Sequence, residues 1–222
     1  MDLYSKNTKT EKNNKNLILL AGKAASGKST VAEIFKKKGY YIISTDEIIR
    51  NKLIPKYKTK IDPALLFSVQ MKTNQKYLID NTVWLEAQKD FNKILKKDVK
   101  KHLNGINKKV LVEGQLTIPS IIRDVFGDND NFTLYVVRPS SLKVYIDRLS
   151  SRVMNEPDQY GRLVWIGMKN ENFEAKNNLL KNGKNSKIWK EFITKIAKEK
   201  YPNHIKLYDT YKKNFKPIKY IN

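Results

Sequence analysis

Short apolar runs alternate with amphipathic stretches along most of the chain. Residues 17–21 form an unbroken aliphatic run ending at Gly22, the pattern of a strand buried on both faces. Over residues 29–38, Val31, Ile34 and Phe35 fall at i, i+3 and i+4, which predicts a helix stopped by Gly39. A second strand is expected at 40–44, and a short helix at 46–52 with Thr45 as its N-cap. Residues 53–82 are less periodic and are broken by Pro55 and Pro63. A long helix follows at 83–103, striped by Phe91, Ile94, Leu95, Val99 and Leu103, with lysines over the rest of its surface. Further strands are predicted at 109–113, 132–137 and 204–208, and helices at 118–126, 140–153, 166–181 and 187–200. Five short apolar strands separated by helices imply an α/β protein, with a parallel sheet covered on both faces. Ligands of such sheets lie at the carboxyl ends of the strands, so the loops after residues 21, 44, 113, 137 and 208 are where chemistry is expected.

Composition narrows the chemistry. The 222 residues contain no Cys, which excludes a disulfide scaffold, a cysteine nucleophile and thiolate metal sites. Two histidines, His102 and His204, make a histidine-rich metal centre improbable. The longest aliphatic run is too short to span a bilayer, so a protein of the cell interior is expected, cytoplasmic or inside a host cell if viral. Residues 1–16 are polar and lysine-rich and read as a disordered basic arm; residues 213–222 read as a basic tail.

The formal net charge of +22 leaves two readings open. One is a polyanionic ligand, phosphate included. The other is compositional drift, because Lys and Asn together fill 60 positions and both are favoured by AT-rich coding. Against 38 Lys there are only six Arg: Arg50, Arg123, Arg138, Arg148, Arg152 and Arg162. Where diffuse charge is met by Lys, a retained Arg points to two-pronged phosphate recognition. The basic surface is expected to bind nucleic acid only weakly and without sequence preference, since its lysines are dispersed rather than gathered with aromatics.

The first strand runs into Gly22-Lys23-Ala24-Ala25-Ser26-Gly27-Lys28-Ser29-Thr30, which fits G-x-x-x-x-G-K-[ST] between a predicted strand and a predicted helix. Gly22 and Gly27 permit the turn that converges backbone N–H groups on phosphate oxygens. The following helix adds the positive end of its dipole. Lys28 is placed to reach the β- and γ-phosphates, and Ser29 to give its hydroxyl to Mg²⁺.

This loop resembles that of the P-loop kinases of small molecules: nucleoside and nucleotide kinases, dephospho-coenzyme A kinase, polynucleotide kinase and the zeta-toxin group. The resemblance extends over most of residues 17–210 but is specific only in the loops. It implies a P-loop NTPase-type five-stranded sheet of order 2-3-1-4-5, in a kinase domain over residues 17–212. That domain would carry a helical insertion at 53–108 and a lid at 148–165. It implies ATP and Mg²⁺ as cofactors, and a nucleoside- or nucleotide-like acceptor.

In the resembling kinases an Asp at the end of strand two handles the acceptor hydroxyl, and Asp46 fits that role. Arg50, one turn on, would hold an acceptor phosphate. Glu113, ending Val110-Leu111-Val112-Glu113-Gly114, would bind an acceptor hydroxyl or hold Mg²⁺ through water. Arg148 and Arg152 lie at i, i+4 and resemble the Arg-Leu-x-x-Arg start of a kinase lid, with Arg162 in its Gly-Arg; lid arginines neutralise charge on the transferring phosphoryl group. Dephospho-coenzyme A kinase and 5′-polynucleotide kinase are alternative activities. A basic nucleic-acid-binding protein with a nucleotide switch is the alternative without catalysis. The sequence has no Asn/Thr-Lys-x-Asp motif where a GTPase needs it.

Overall fold

The computed structural model describes residues 16–67, 69, 81–105, 109–114, 119–127, 132–155, 181–215 and 218–221. The arm at 1–15, the greater part of the expected lid with Arg162, and the helix expected at 166–181 up to residue 180 lie outside the described residues.

The described chain is an α/β fold built on a parallel sheet. Strands β1 (Leu17–Ala21), β2 (Tyr41–Ser44), β3 (Val110–Gly114), β4 (Thr133–Val137) and β5 (Ile218–Ile221) lie in the order β2-β3-β1-β4-β5, every neighbouring pair parallel. Parallel neighbours need helical crossovers, and these cover both faces of the sheet. Helix α1 (Lys28–Lys37) joins β1 to β2. After β2 come α2 (Thr45–Ile48), a π-helical turn (Ile49–Leu53), α3 (Ile54–Tyr57), α4 (Pro63–Leu66) and the long α5 (Asn81–Leu103). Helix α6 (Pro119–Phe126) precedes β4. Helices α7 (Leu142–Asn155), α8 (Lys187–Lys200) and α9 (Pro202–Asn214) follow it, before β5.

The period-two alternation of the strands assigns residues to the two faces. Leu17, Leu19, Val110, Val112, Leu134 and Val136 join the larger core with Phe91, Leu95 and Val99 of α5. Ile18, Leu20, Leu111, Tyr135 and Val137 join Val31, Ala32 and Phe35 of α1 on the other face. A strand buried on both faces cannot alternate in polarity, which is why β1 reads as one apolar run. The residues read as an insertion supply much of the larger core: Leu53, Tyr57, Ile61, Leu66 and Trp84 are all buried in it.

One expected strand is corrected. Residues 204–208 are not a strand but part of α9, with Pro202 in the first turn. His204, Leu207 and Tyr211 are its buried residues, at i, i+3 and i+7. The fifth strand lies at Ile218–Ile221, within the segment read as an unpatterned tail.

Candidate active site

The loop between β1 and α1 turns through two left-handed residues, Ala25 at φ 60° and Gly27 at φ 100°. The Ala25 conformation costs a residue with a Cβ about 1–2 kcal/mol, strain of the kind held at functional loops. Each glycine also has a steric reason. A Cβ at Gly22 would lie 2.6 Å from the Val137 carbonyl oxygen and 2.7 Å from Ser26 Oγ. One at Gly27 would lie 2.7 Å from Arg148 Nη1. Only glycine therefore lets the loop fold back over the end of β4 and lets α7 approach it.

Gly27 caps α1 without a side-chain hydrogen bond, and the first turn of the helix holds no acidic residue. Its leading N–H groups and positive dipole end are thus presented to the cavity. Ser26 is fully buried within the loop, and its hydroxyl has no hydrogen-bond partner among the described residues. A buried hydroxyl beside free helix N–H groups suits an oxyanion. The residues present therefore fit a nucleotide phosphate.

Lys28 bends back over the loop. Its ammonium donates to the Gly22 carbonyl at 2.8 Å and the Lys23 carbonyl at 3.0 Å. Burial lowers its pKa to about 8; Asp46 and Glu113 act against that shift, and Arg152 adds to it. A short-range cation is thus stored at the mouth of the cradle between two backbone oxygens and two carboxylates.

Opposite the cradle, the sheet brings two carboxylates together. Ser44 and Glu113 are register partners on adjacent strands, so the ends of β2 and β3 lie side by side. The Ser44 hydroxyl hydrogen-bonds Glu113, and Asp46 follows two residues later in the first turn of α2. The buried Thr45 side chain packs on the Gly114 Cα, where a Cβ would overlap it. Gly114 therefore fixes the start of α2, and with it Asp46, against the end of β3. Burial raises the pKa of the Glu113 carboxyl, helped by Asp46 and opposed by Lys28, the Ser44 hydrogen bond and Arg152.

Arg148 Nη1 donates to the Ser26 carbonyl at 2.5 Å, anchoring α7 to the loop. Together these elements enclose a cavity of about 280 Å³. Its walls include Ala24 to Thr30, Asp46, Glu113, Arg148 and Arg152, so the cavity gathers most of the expected site residues. Gly22 and Lys23 contribute backbone carbonyls to Lys28 rather than surface to the cavity.

Arg50 is not brought to this cavity. It is exposed in the π-helical turn, its guanidinium 5.9 Å from the Phe67 ring centroid. Insertion of an extra residue into the helical turn rotates position 50 away from the face that carries Asp46. Arg123 is structural, donating to the Asn214 carbonyl at 3.1 Å and lying over Phe215. Ser44, Gly114 and Ser151 also line the cavity and were not singled out from the sequence. Ser151 had a signal available, since it lies three residues after Arg148 on the same helix face.

For a metal, no group of three His, Asp or Glu side chains occurs among the described residues. Mg²⁺ bound with a nucleotide needs only one or two protein oxygens besides phosphate and water, and Ser29 with Glu113 can supply those. No family model matches the chain, and no curated protein matches it either.

Proposed function

We propose that this chain is an ATP- and Mg²⁺-dependent kinase that transfers the γ-phosphate to a hydroxyl of a small nucleoside- or nucleotide-like acceptor. The observation that carries the reading is the pairing of an uncapped, Gly-bounded phosphate cradle holding Lys28 with Asp46 and Glu113 across one cavity. The order β2-β3-β1-β4-β5, with the cradle following the central strand, supports the P-loop kinase resemblance as well.

Mg²⁺-ATP, when bound, supplies the phosphoryl group and its leaving group. The loop N–H groups and the start of α1 bind the phosphates. Lys28 moves from the Gly22 and Lys23 carbonyls to the phosphate oxygens. Arg148 and Arg152 lie where negative charge spreads during transfer. Ser29 and, through water, Glu113 would hold the metal. Asp46 takes the proton of the acceptor hydroxyl as its oxygen bonds to phosphorus and the β–γ bridging bond breaks.

Calorimetric titration with Mg²⁺-ATP tests the cradle. Wild-type protein is expected to bind, and Lys28→Ala to bind at least about tenfold more weakly, as expected on losing a charge-assisted contact. Equal affinity in the two proteins would remove the cradle from the reading.

A further inference from the structure

The cavity is electrostatically divided, and the division bears on what the acceptor can be. Among the described residues that line it, the cations are Lys28, Arg148 and Arg152. Arg148 is bound to the loop at the Ser26 carbonyl and packs on Gly27, so its charge belongs to the cradle side. Lys28 is held on the loop carbonyls. The facing wall is Ser44, Asp46, Glu113 and Gly114. Its two carboxylates are held in place by strand register and by the Thr45–Gly114 contact rather than by flexible loops. Arg50, the cation that would have served an acceptor phosphate on this side, lies over Phe67 outside the cavity.

An anionic group brought to that wall would face two carboxylates at short range, and like-charge juxtaposition strongly disfavours a partner. A group rich in hydroxyls finds the opposite: carboxylate oxygens accept its hydrogen bonds. Glu113 already accepts one such bond, from the Ser44 hydroxyl.

We propose, resting on the kinase reading above, that the acceptor presents an uncharged polyhydroxyl face to Asp46 and Glu113. The chain then phosphorylates an unphosphorylated, nucleoside- or sugar-like alcohol in preference to its phosphate ester. The hydroxyl oxygen bonds to the γ-phosphorus of ATP, the β–γ bridging bond breaks to release ADP, and the hydroxyl proton passes to Asp46.

The test uses full-length protein, Mg²⁺-ATP and matched pairs: uridine and its 5′-monophosphate, thymidine and its 5′-monophosphate, ribose and ribose 5-phosphate. For the pair that reacts, kcat/KM for the free alcohol is expected to exceed that of its ester by about tenfold or more. Glu113→Gln, which removes one wall charge and keeps the shape, is expected to narrow that preference at least about threefold. Equal or better use of the ester would overturn the inference. So would a Glu113→Gln variant whose Mg²⁺ requirement changes while the preference stays fixed. Transfer to none of the free alcohols by protein that binds ATP would overturn it too. Failure of the wild-type chain to bind Mg²⁺-ATP would instead overturn the kinase reading on which it rests.

Discussion

Arg148 reaches the phosphate loop from a helix 122 residues away in sequence, and its fork is used there as a shape as well as a charge. One nitrogen holds the Ser26 carbonyl, leaving the rest of the planar group facing the cavity. Lysine in its place keeps the charge but cannot bridge the loop and a phosphate in one plane. Arg148→Lys is therefore expected to lower kcat by about tenfold or more, the scale of losing one transition-state donor. Steady-state kinetics with saturating ATP measures this, and an unchanged kcat would assign Arg148 to loop anchoring alone.

His204 makes a second residue-scale case. It is buried against Tyr145 and Tyr201, and both ring nitrogens lack hydrogen-bond partners among the described residues. Burial lowers its pKa from 6.5 to about 4, with Lys23 and Lys28 adding to the shift. Between those values the unfolded chain binds more protons than the folded one, so stability is full above 6.5 and falls as pH drops toward 4. From 1.36 kcal/mol per pKa unit, acidification from pH 7 to 4.5 should cost roughly 2 kcal/mol through this group. Urea unfolding at the two pH values should show that His204→Leu loses correspondingly less stability than the wild type. An equal loss in both proteins would exclude His204 as the acid-sensitive site.

At the scale of elements, the contact that aligns the acceptor wall is Thr45 on Gly114. Gly114→Ala would drive a methyl into the Thr45 side chain, whose Cβ would lie 2.8 Å away. Overpacking of this kind costs about 1–3 kcal/mol, and here it also displaces the turn carrying Asp46. Turnover should fall by more than ATP affinity, and Thr45→Gly should restore part of both stability and turnover in the double variant. A Gly114→Ala protein with normal turnover would show that the wall does not depend on this contact. The elements themselves were unevenly legible. The central strands, α1 and α5 were readable because each carries a long apolar run or stripe with one period. Residues 204–208 were not, because His-Ile-Lys-Leu-Tyr alternates over five residues and mimics a strand. The helical spacing of His204, Leu207 and Tyr211 emerges only over eight residues, and Pro202 marks the start. The four-residue β5 is too short, and too rich in lysine around it, to stand out from the tail.

On the scale of the molecule, the candidate site was legible where it is contiguous in sequence and hidden where the sheet assembles it. The cradle can be read from nine consecutive residues. The neighbourhood of Asp46 and Glu113 arises from the pairing of β2 with β3, and the displacement of Arg50 from a π-helical turn that no local pattern announces. No described helix is long and apolar enough to cross a membrane. The excess lysines are spread over α5, α8 and α9 rather than drawn into the cavity, where Lys28 is the only lysine among the described lining residues. That arrangement separates the general charge of the surface from the chemistry of the cradle. The most direct measurement incubates wild-type protein and Lys28→Ala with γ-labelled ATP, Mg²⁺ and a mixture of nucleosides, nucleotides and sugars, with folding of both proteins checked by circular dichroism. The account predicts label on an acceptor with the wild type, and at least a hundredfold less with folded Lys28→Ala, on the order of the loss of one preorganised charge at the transferring phosphate. Equal transfer by the two proteins, or release of labelled inorganic phosphate that no acceptor alters, would contradict it.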